Sequence, residues 1–229
     1  MTAAARALAV ALAAALALAL AACGGGDGDG AAVRPGGDRF AAAEALPDGL
    51  AGRPAPTMRL RDARGGVLDT AGLAGRPYLV TFLYVNCPDV CPLIGQLLRE
   101  TLAELGPDAD RVAVVAVSVD PRGDTPAAVR TWLRRHRQPP QFHYLIGAER
   151  ELAPVWRAWW AAPQVEGDPE SAHTAVVWLV DGRGRLAGKL AAGAPFEPAA
   201  LAADVRALLA AGDGAAGDGA AGRAATARG

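Results

Sequence analysis

Four runs of consecutive apolar, β-branched-rich residues, Tyr78 to Val85, Val112 to Val119, Phe142 to Ile146 and Ala175 to Val180, narrow the fold more than any other feature of this chain. A half-exposed strand alternates apolar and polar side chains, whereas runs without alternation suit strands covered on both faces. Helical patterns follow each run, over Leu93 to Leu105, Pro126 to Arg137, Glu149 to Trp160 and Pro198 to Leu209. Thr125-Pro126 reads as an N-cap followed by proline at the first helical position, where no intrahelical bond is lost, and Glu197-Pro198 opens in the same way. Strand alternating with helix predicts an α/β architecture. The turn Asp181-Gly182-Arg183-Gly184 returns the chain into Leu186 to Leu190 as a hairpin, and a second hairpin is expected over Met58 to Asp69 around Gly65-Gly66. Hairpins bring antiparallel neighbours, so the expectation is a mixed central sheet flanked by helices, with an N-terminal hairpin.

The ends of the chain differ from this middle. Residues 1–22 carry one positive charge, Arg6, and then an unbroken Ala/Leu/Val run, the order of a secretory signal peptide. Leu20-Ala21-Ala22-Cys23 matches the bacterial lipoprotein box, which makes Cys23 the lipidated residue after cleavage. The alternative is an uncleaved anchor, but Ala7 to Ala22 falls short of the roughly 20 apolar residues that a span needs. Either way the rest of the protein is expected outside the cytoplasm, tethered to the bacterial cell membrane. Residues 23–53 are Gly/Ala/Asp-rich and read as the lipid anchor and a flexible spacer, with one domain over 54–211. Residues 212–229 repeat Gly-Asp-Gly-Ala-Ala and read as a disordered tail. With 23 Lys+Arg against 24 Asp+Glu and no basic cluster interleaved with aromatics, the chain has no electrostatic grip on nucleic acid. A monomer is expected.

The chemistry concentrates in Asn86-Cys87-Pro88-Asp89-Val90-Cys91-Pro92, where two cysteines four apart sit between a buried strand and a helix start. The carboxyl ends of strands are where α/β sheets place ligands. Pro92 suits a helix opening with Cys91 at or near the N-cap, so unpaired amides and the macrodipole favour thiolates, the form that binds metals and attacks disulfides. If lipid consumes Cys23, only Cys87 and Cys91 remain, and a structural disulfide between them is the competing reading in an oxidising compartment. A bridge closing so short a loop removes little unfolded-state entropy, which weighs against it. Two sulfurs are an incomplete metal site, and the available imidazoles are His136, His143 and His173. His136 lies in the basic stretch Arg134 to Arg137 and reads as a solvated face. His143 reads as packing or surface. His173 stands at the mouth of the run Ala175 to Val180.

Three separated motifs, Cys87-Pro88-Asp89-Val90-Cys91-Pro92, Val119-Asp120-Pro121-Arg122-Gly123-Asp124-Thr125-Pro126 and His173-Thr174 before Val176, together resemble the Sco/SenC family over roughly Pro54 to Leu209. The resemblance implies a thioredoxin-like fold and copper, as Cu(I) or Cu(II), bound by Cys87, Cys91 and His173. It also implies a partner, a copper-receiving subunit of cytochrome c oxidase whose dinuclear copper centre such proteins help to assemble. Asp89 and Asp120 are candidates for supporting the ligands from behind; a solvated turn explains the first, and an Asp-Pro turn or cap explains the second equally well. Two departures stand out: Gly123 replaces a residue that is commonly charged, and Ser171-Ala172 replaces the acidic residue that often precedes the histidine.

Two functions compete for the same sulfurs. A metallochaperone holds copper and passes it on by ligand exchange. A thiol–disulfide oxidoreductase uses Cys87 and Cys91 as its catalytic pair, reducing an exchange partner's cysteines. Four-apart spacing and the downstream histidine favour metal. A peroxiredoxin is disfavoured because Tyr84 stands three before Cys87, where that pattern calls for Thr or Ser.

Overall fold

The computed structural model describes residues 40–163, 175–191 and 196–226. In chain order the elements are β1 (Arg59–Asp62), β2 (Val67–Asp69), β3 (Tyr78–Leu83), α1 (Val90–Leu105), β4 (Ala113–Ser118), α2 (Pro126–Arg135), β5 (Phe142–Ile146), α3 (Glu149–Ala158), β6 (Val176–Val180), β7 (Leu186–Ala191) and α4 (Pro198–Thr226). Among the described residues the strands form one sheet in the order β2-β1-β5-β4-β3-β6-β7. The pairs β3–β4 and β4–β5 are parallel, while β1–β2, β1–β5, β3–β6 and β6–β7 are antiparallel. This is the mixed sheet with an N-terminal hairpin that the sequence predicts.

Every residue of β3, β4 and β6 is buried, so these strands are covered on both faces, as their unbroken apolar runs require. Leu98, Leu102 and Leu105 of α1, and Leu201, Val205 and Leu208 of α4, are buried where those two helices pack together. Trp132 of α2 stacks near Phe142 and Tyr144 of β5, with ring centroids 6.2 and 5.8 Å away. Trp156 of α3 donates its indole N–H to Ser118 O at 2.8 Å. Burying an indole with its N–H satisfied locks α3 against the carboxyl end of β4.

Three boundaries differ from the sequence reading. The spacer assigned to residues 23–53 does not extend over 40–53, which lie along β7. Asp204, a buried residue of α4, accepts the backbone N–H groups of Ala41, Ala42 (2.9 Å) and Ala43 (2.8 Å), and Glu44 exchanges backbone bonds with Lys189. Gly52 N–H reaches Leu186 O at 2.8 Å and Leu186 N–H reaches Arg53 O at 2.9 Å. The small residues that made this segment look like a linker are what let it approach: a Cβ on Gly188 would lie 3.1 Å from Ala43 Cβ. At the other end α4 continues to Thr226, so the tail expected to be irregular from Gly212 carries helical backbone; alanine, the best helix former, offsets its glycines. At the third boundary, α1 begins at Val90 rather than at the proline, a difference that bears on the cysteines.

Candidate metal centre

β3 runs out at Leu83, opposite Ser118 at the end of β4, and the chain then climbs over the sheet edge through Tyr84 to Asp89. Cys87 N–H returns to Tyr84 O at 3.3 Å, closing the loop. Asp89, not Cys91, is the N-cap of α1: its carboxylate accepts the Val90 N–H, so the aspartate does more than solvate the turn. Asp89 Oδ1 is also 3.8 Å from Cys87 Sγ. Cys91 is therefore the second helical residue and Pro92 the third, where the missing proline N–H still leaves no intrahelical bond unmade.

The two sulfurs meet at this first turn. Cys91 N–H donates to Cys87 Sγ at 3.3 Å, so the Cys87 sulfur sits on one of the amides that a helix start leaves over. Both cysteines are buried, with 6% of Cys87 and none of Cys91 exposed, and no disulfide joins them. At Cys91 the pull of the helix start toward thiolate is opposed. The residue's hydrogen bond with Cys87 and then its burial hold the thiol well above the ordinary range, and the negative charge of Asp124 adds to the effect. The hydrogen bond and then the loss of solvent both favour the neutral thiol of this enclosed residue.

A second loop, residues 119–125, lies beside the first. Asp120 Oδ1 accepts Gly123 N–H at 2.9 Å and Arg122 N–H at 3.2 Å, so its carboxylate builds the turn after β4. Gly123 lets this turn close tightly: a Cβ would stand 2.1 Å from Asp120 Oδ2 and 2.9 Å from Asn86 Nδ2, so a larger residue requires those side chains to shift. Asp124, 3% exposed, accepts Val85 N–H at 2.8 Å and the Tyr144 hydroxyl at 3.0 Å. Burial raises its carboxyl to about 6. Thr125 caps α2 by accepting Ala128 N–H at 3.2 Å, as its sequence predicts. Sequence reasoning passed over Asp124. The only signal was a second acidic residue directly before a capped helix start, where the cap itself was already supplied by threonine.

His136 is the C-cap of α2 and stacks on Trp132 at 4.4 Å between ring centroids; burial, then the Arg135 charge, lowers its pKa. It is half-buried on an aromatic ring rather than simply solvated. His143 Nδ1 is 2.7 Å from Asp62 Oδ2, joining β5 to β1. Neither imidazole joins the cysteines, and among the described residues no set of three His, Cys, Asp or Glu side chains converges to hold a metal ion. His173 and Cys23 lie outside the described residues. Among the described residues no helix is long and apolar enough to cross a membrane.

A mixed sheet flanked by helices, with two cysteines where one strand gives way to a helix, defines a thioredoxin-like fold. The chain belongs to the SCO1/SenC family, whose model matches residues 52–210. The SCO2-like protein of Rickettsia conorii is 27% identical over 136 residues, which cover 56% of this chain and 64% of that protein, so the match spans less than two thirds of the relative. Among solved structures, copper-bound ScoI of Bradyrhizobium japonicum is 32% identical with a TM-score of 0.58, over 67% of this chain and 98% of that one. BsSco, described as a member of the Sco family of cytochrome c oxidase assembly proteins, matches with a TM-score of 0.62 at 17% identity, over 72% of this chain and 98% of its own, a likeness of fold.

Proposed function

We propose that this protein is a membrane-tethered, extracytoplasmic copper chaperone that holds the ion through Cys87, Cys91 and His173 and yields it during assembly of the dinuclear copper centre of cytochrome c oxidase. The observation that carries this reading is the meeting of the two cysteine residues at the first turn of α1, Cys91 N–H on Cys87 Sγ, in a chain of the SCO1/SenC family. Two soft sulfurs suit Cu(I), and an imidazole is acceptable to Cu(II), so such a donor set accommodates either oxidation state. The bound copper supplies the positive charge that stabilises two adjacent thiolates, and its binding releases their protons. The copper in the Bradyrhizobium relative supports the choice of ion. Tethering rests on the lipoprotein box ending at Cys23. Thiol exchange with a partner is less favoured, since both sulfurs are buried and Cys91 holds its proton tightly.

Anaerobic titration of the reduced protein with Cu(I), followed by competition with a chromophoric chelator, tests the proposal. The expected result is one tightly held ion per chain, lost when either cysteine is replaced by serine. Failure of the reduced protein to compete with the chelator would defeat it.

A further inference from the structure

We propose that Asp124 is a positioning residue for the dithiol, bracing the cysteine loop against β5 and so setting how closely Cys87 is held to Cys91. The inference builds on the reading of Cys87 and Cys91 as the functional pair. Val85 lies beyond the end of β3 and two residues before Cys87, where its N–H has left the sheet ladder. Asp124 takes that N–H with Oδ1 at 2.8 Å and the Tyr144 hydroxyl with Oδ2 at 3.0 Å. Tyr144 is fully buried in β5, and β4 lies between β5 and β3. One carboxylate therefore ties the base of the cysteine loop to a strand two places away, over the end of the intervening one.

The choice of a carboxylate is informative. Burying a charge is costly, and a neutral side chain can accept a single backbone N–H. What the carboxylate adds is a strong acceptor at each oxygen, held by Val85 N–H, the Tyr144 hydroxyl and the Ser118 side chain, three donors on separate elements that together fix its position. Val85 is thus held by the loop of residues 119–125. Asn86 lies close beside the same loop, since a Cβ on Gly123 would lie 2.9 Å from Asn86 Nδ2. Cys87 is in turn placed with its sulfur 3.3 Å from Cys91 N. Loosening the base of the loop lowers the effective concentration of one thiol at the other.

The test uses two readouts on the full chain. In the first, the protein is equilibrated with reduced and oxidised glutathione: the two thiols pass two electrons and two protons to one oxidised glutathione, leaving the Cys87–Cys91 disulfide and two reduced glutathiones. Asp124→Ala is expected to lower this equilibrium constant by about tenfold. Asp124→Asn, whose amide oxygen still accepts Val85 N–H, should recover most of it. The second readout is Cu(I) affinity, expected to fall in the same order. An unchanged or raised glutathione constant in a folded Asp124→Ala protein overturns the proposal. Should that variant not fold, Tyr144→Phe, which removes only the outer bond, decides: a fall of about threefold supports the brace and a parent-like constant rejects it. If the parent protein binds no copper, the chaperone reading fails while the glutathione equilibrium still judges Asp124.

Discussion

At the scale of single residues, the two cysteines were legible because apolar strand, turn residues and proline bracket them in a way that fixes their place at a strand end. The raised pKa of Cys91 was not legible, since it depends on how Cys91 meets Cys87 and on its enclosure, with a smaller part from Asp124, 33 positions further along the chain. Asp124 itself illustrates the reason. An aspartate before Thr-Pro reads as turn chemistry, and only the fold reveals that its oxygens reach Val85 and Tyr144. Its carboxyl stands at about 6 against an ordinary 3.8, so the folded state holds the proton more firmly than the unfolded chain does. The stabilisation from that proton is full below pH 3.8 and is lost as pH rises through about 6. Denaturant unfolding of the metal-free protein should therefore show the parent losing stability relative to Asp124→Asn between pH 4 and 7, by on the order of 2 kcal/mol. A difference that stays flat across that range would contradict the burial argument. His173→Ala should weaken Cu(I) binding by about 100-fold or more, while Cys87 and Cys91 still form a disulfide on oxidation; equal affinity in the two proteins would remove His173 from the ligand set.

Elements were legible where pattern and punctuation agreed. β5 matches its apolar run residue for residue, and α2 begins at the proline after its threonine cap. Errors fell where glycine and alanine dominate, because small residues signal flexibility by composition yet permit close backbone packing in a fold. The segment along β7 is the clearest case. Asp204 gathers three consecutive amides there, and that carboxylate is 2% exposed. Removing it leaves those donors without their acceptor, so Asp204→Ala should cost about 2–4 kcal/mol unless the segment peels away. Hydrogen exchange distinguishes the outcomes: amides of residues 41–55 should lose protection while those of β3 and β4 keep theirs. Retained protection over 41–43 would show that Asp204 does not anchor the segment. Gly123 makes a sharper prediction for the turn beside the cysteines. Gly123→Ala drives a methyl group into the Asp120 carboxylate, so it should lower the melting temperature and loosen Asn86, whereas Gly65→Ala meets no atom within 4 Å and bears only the penalty of its positive φ.

At the scale of the whole molecule, mixed strand order follows from two hairpins grafted onto a parallel β3–β4–β5 centre, and that centre sets the cysteine loop and the 119–125 loop side by side at one edge of the sheet. The sequence motifs named the same two loops, but only the sheet order explains why residues so far apart in the chain can act together. The third motif enters β6, which pairs with β3 and starts beside its carboxyl end, with Val177 opposite Thr81. That register sets the start of β6 at the same edge as the cysteine loop, and His173, the proposed third ligand, precedes it in the sequence outside the described residues. X-ray absorption at the copper edge, measured on the Cu(I)-loaded parent and on His173→Ala, tests this most directly. Two sulfurs and one nitrogen around copper in the parent, with the nitrogen gone in the variant, is the predicted result; a nitrogen that persists in the variant, or a parent site without both sulfurs, would contradict it.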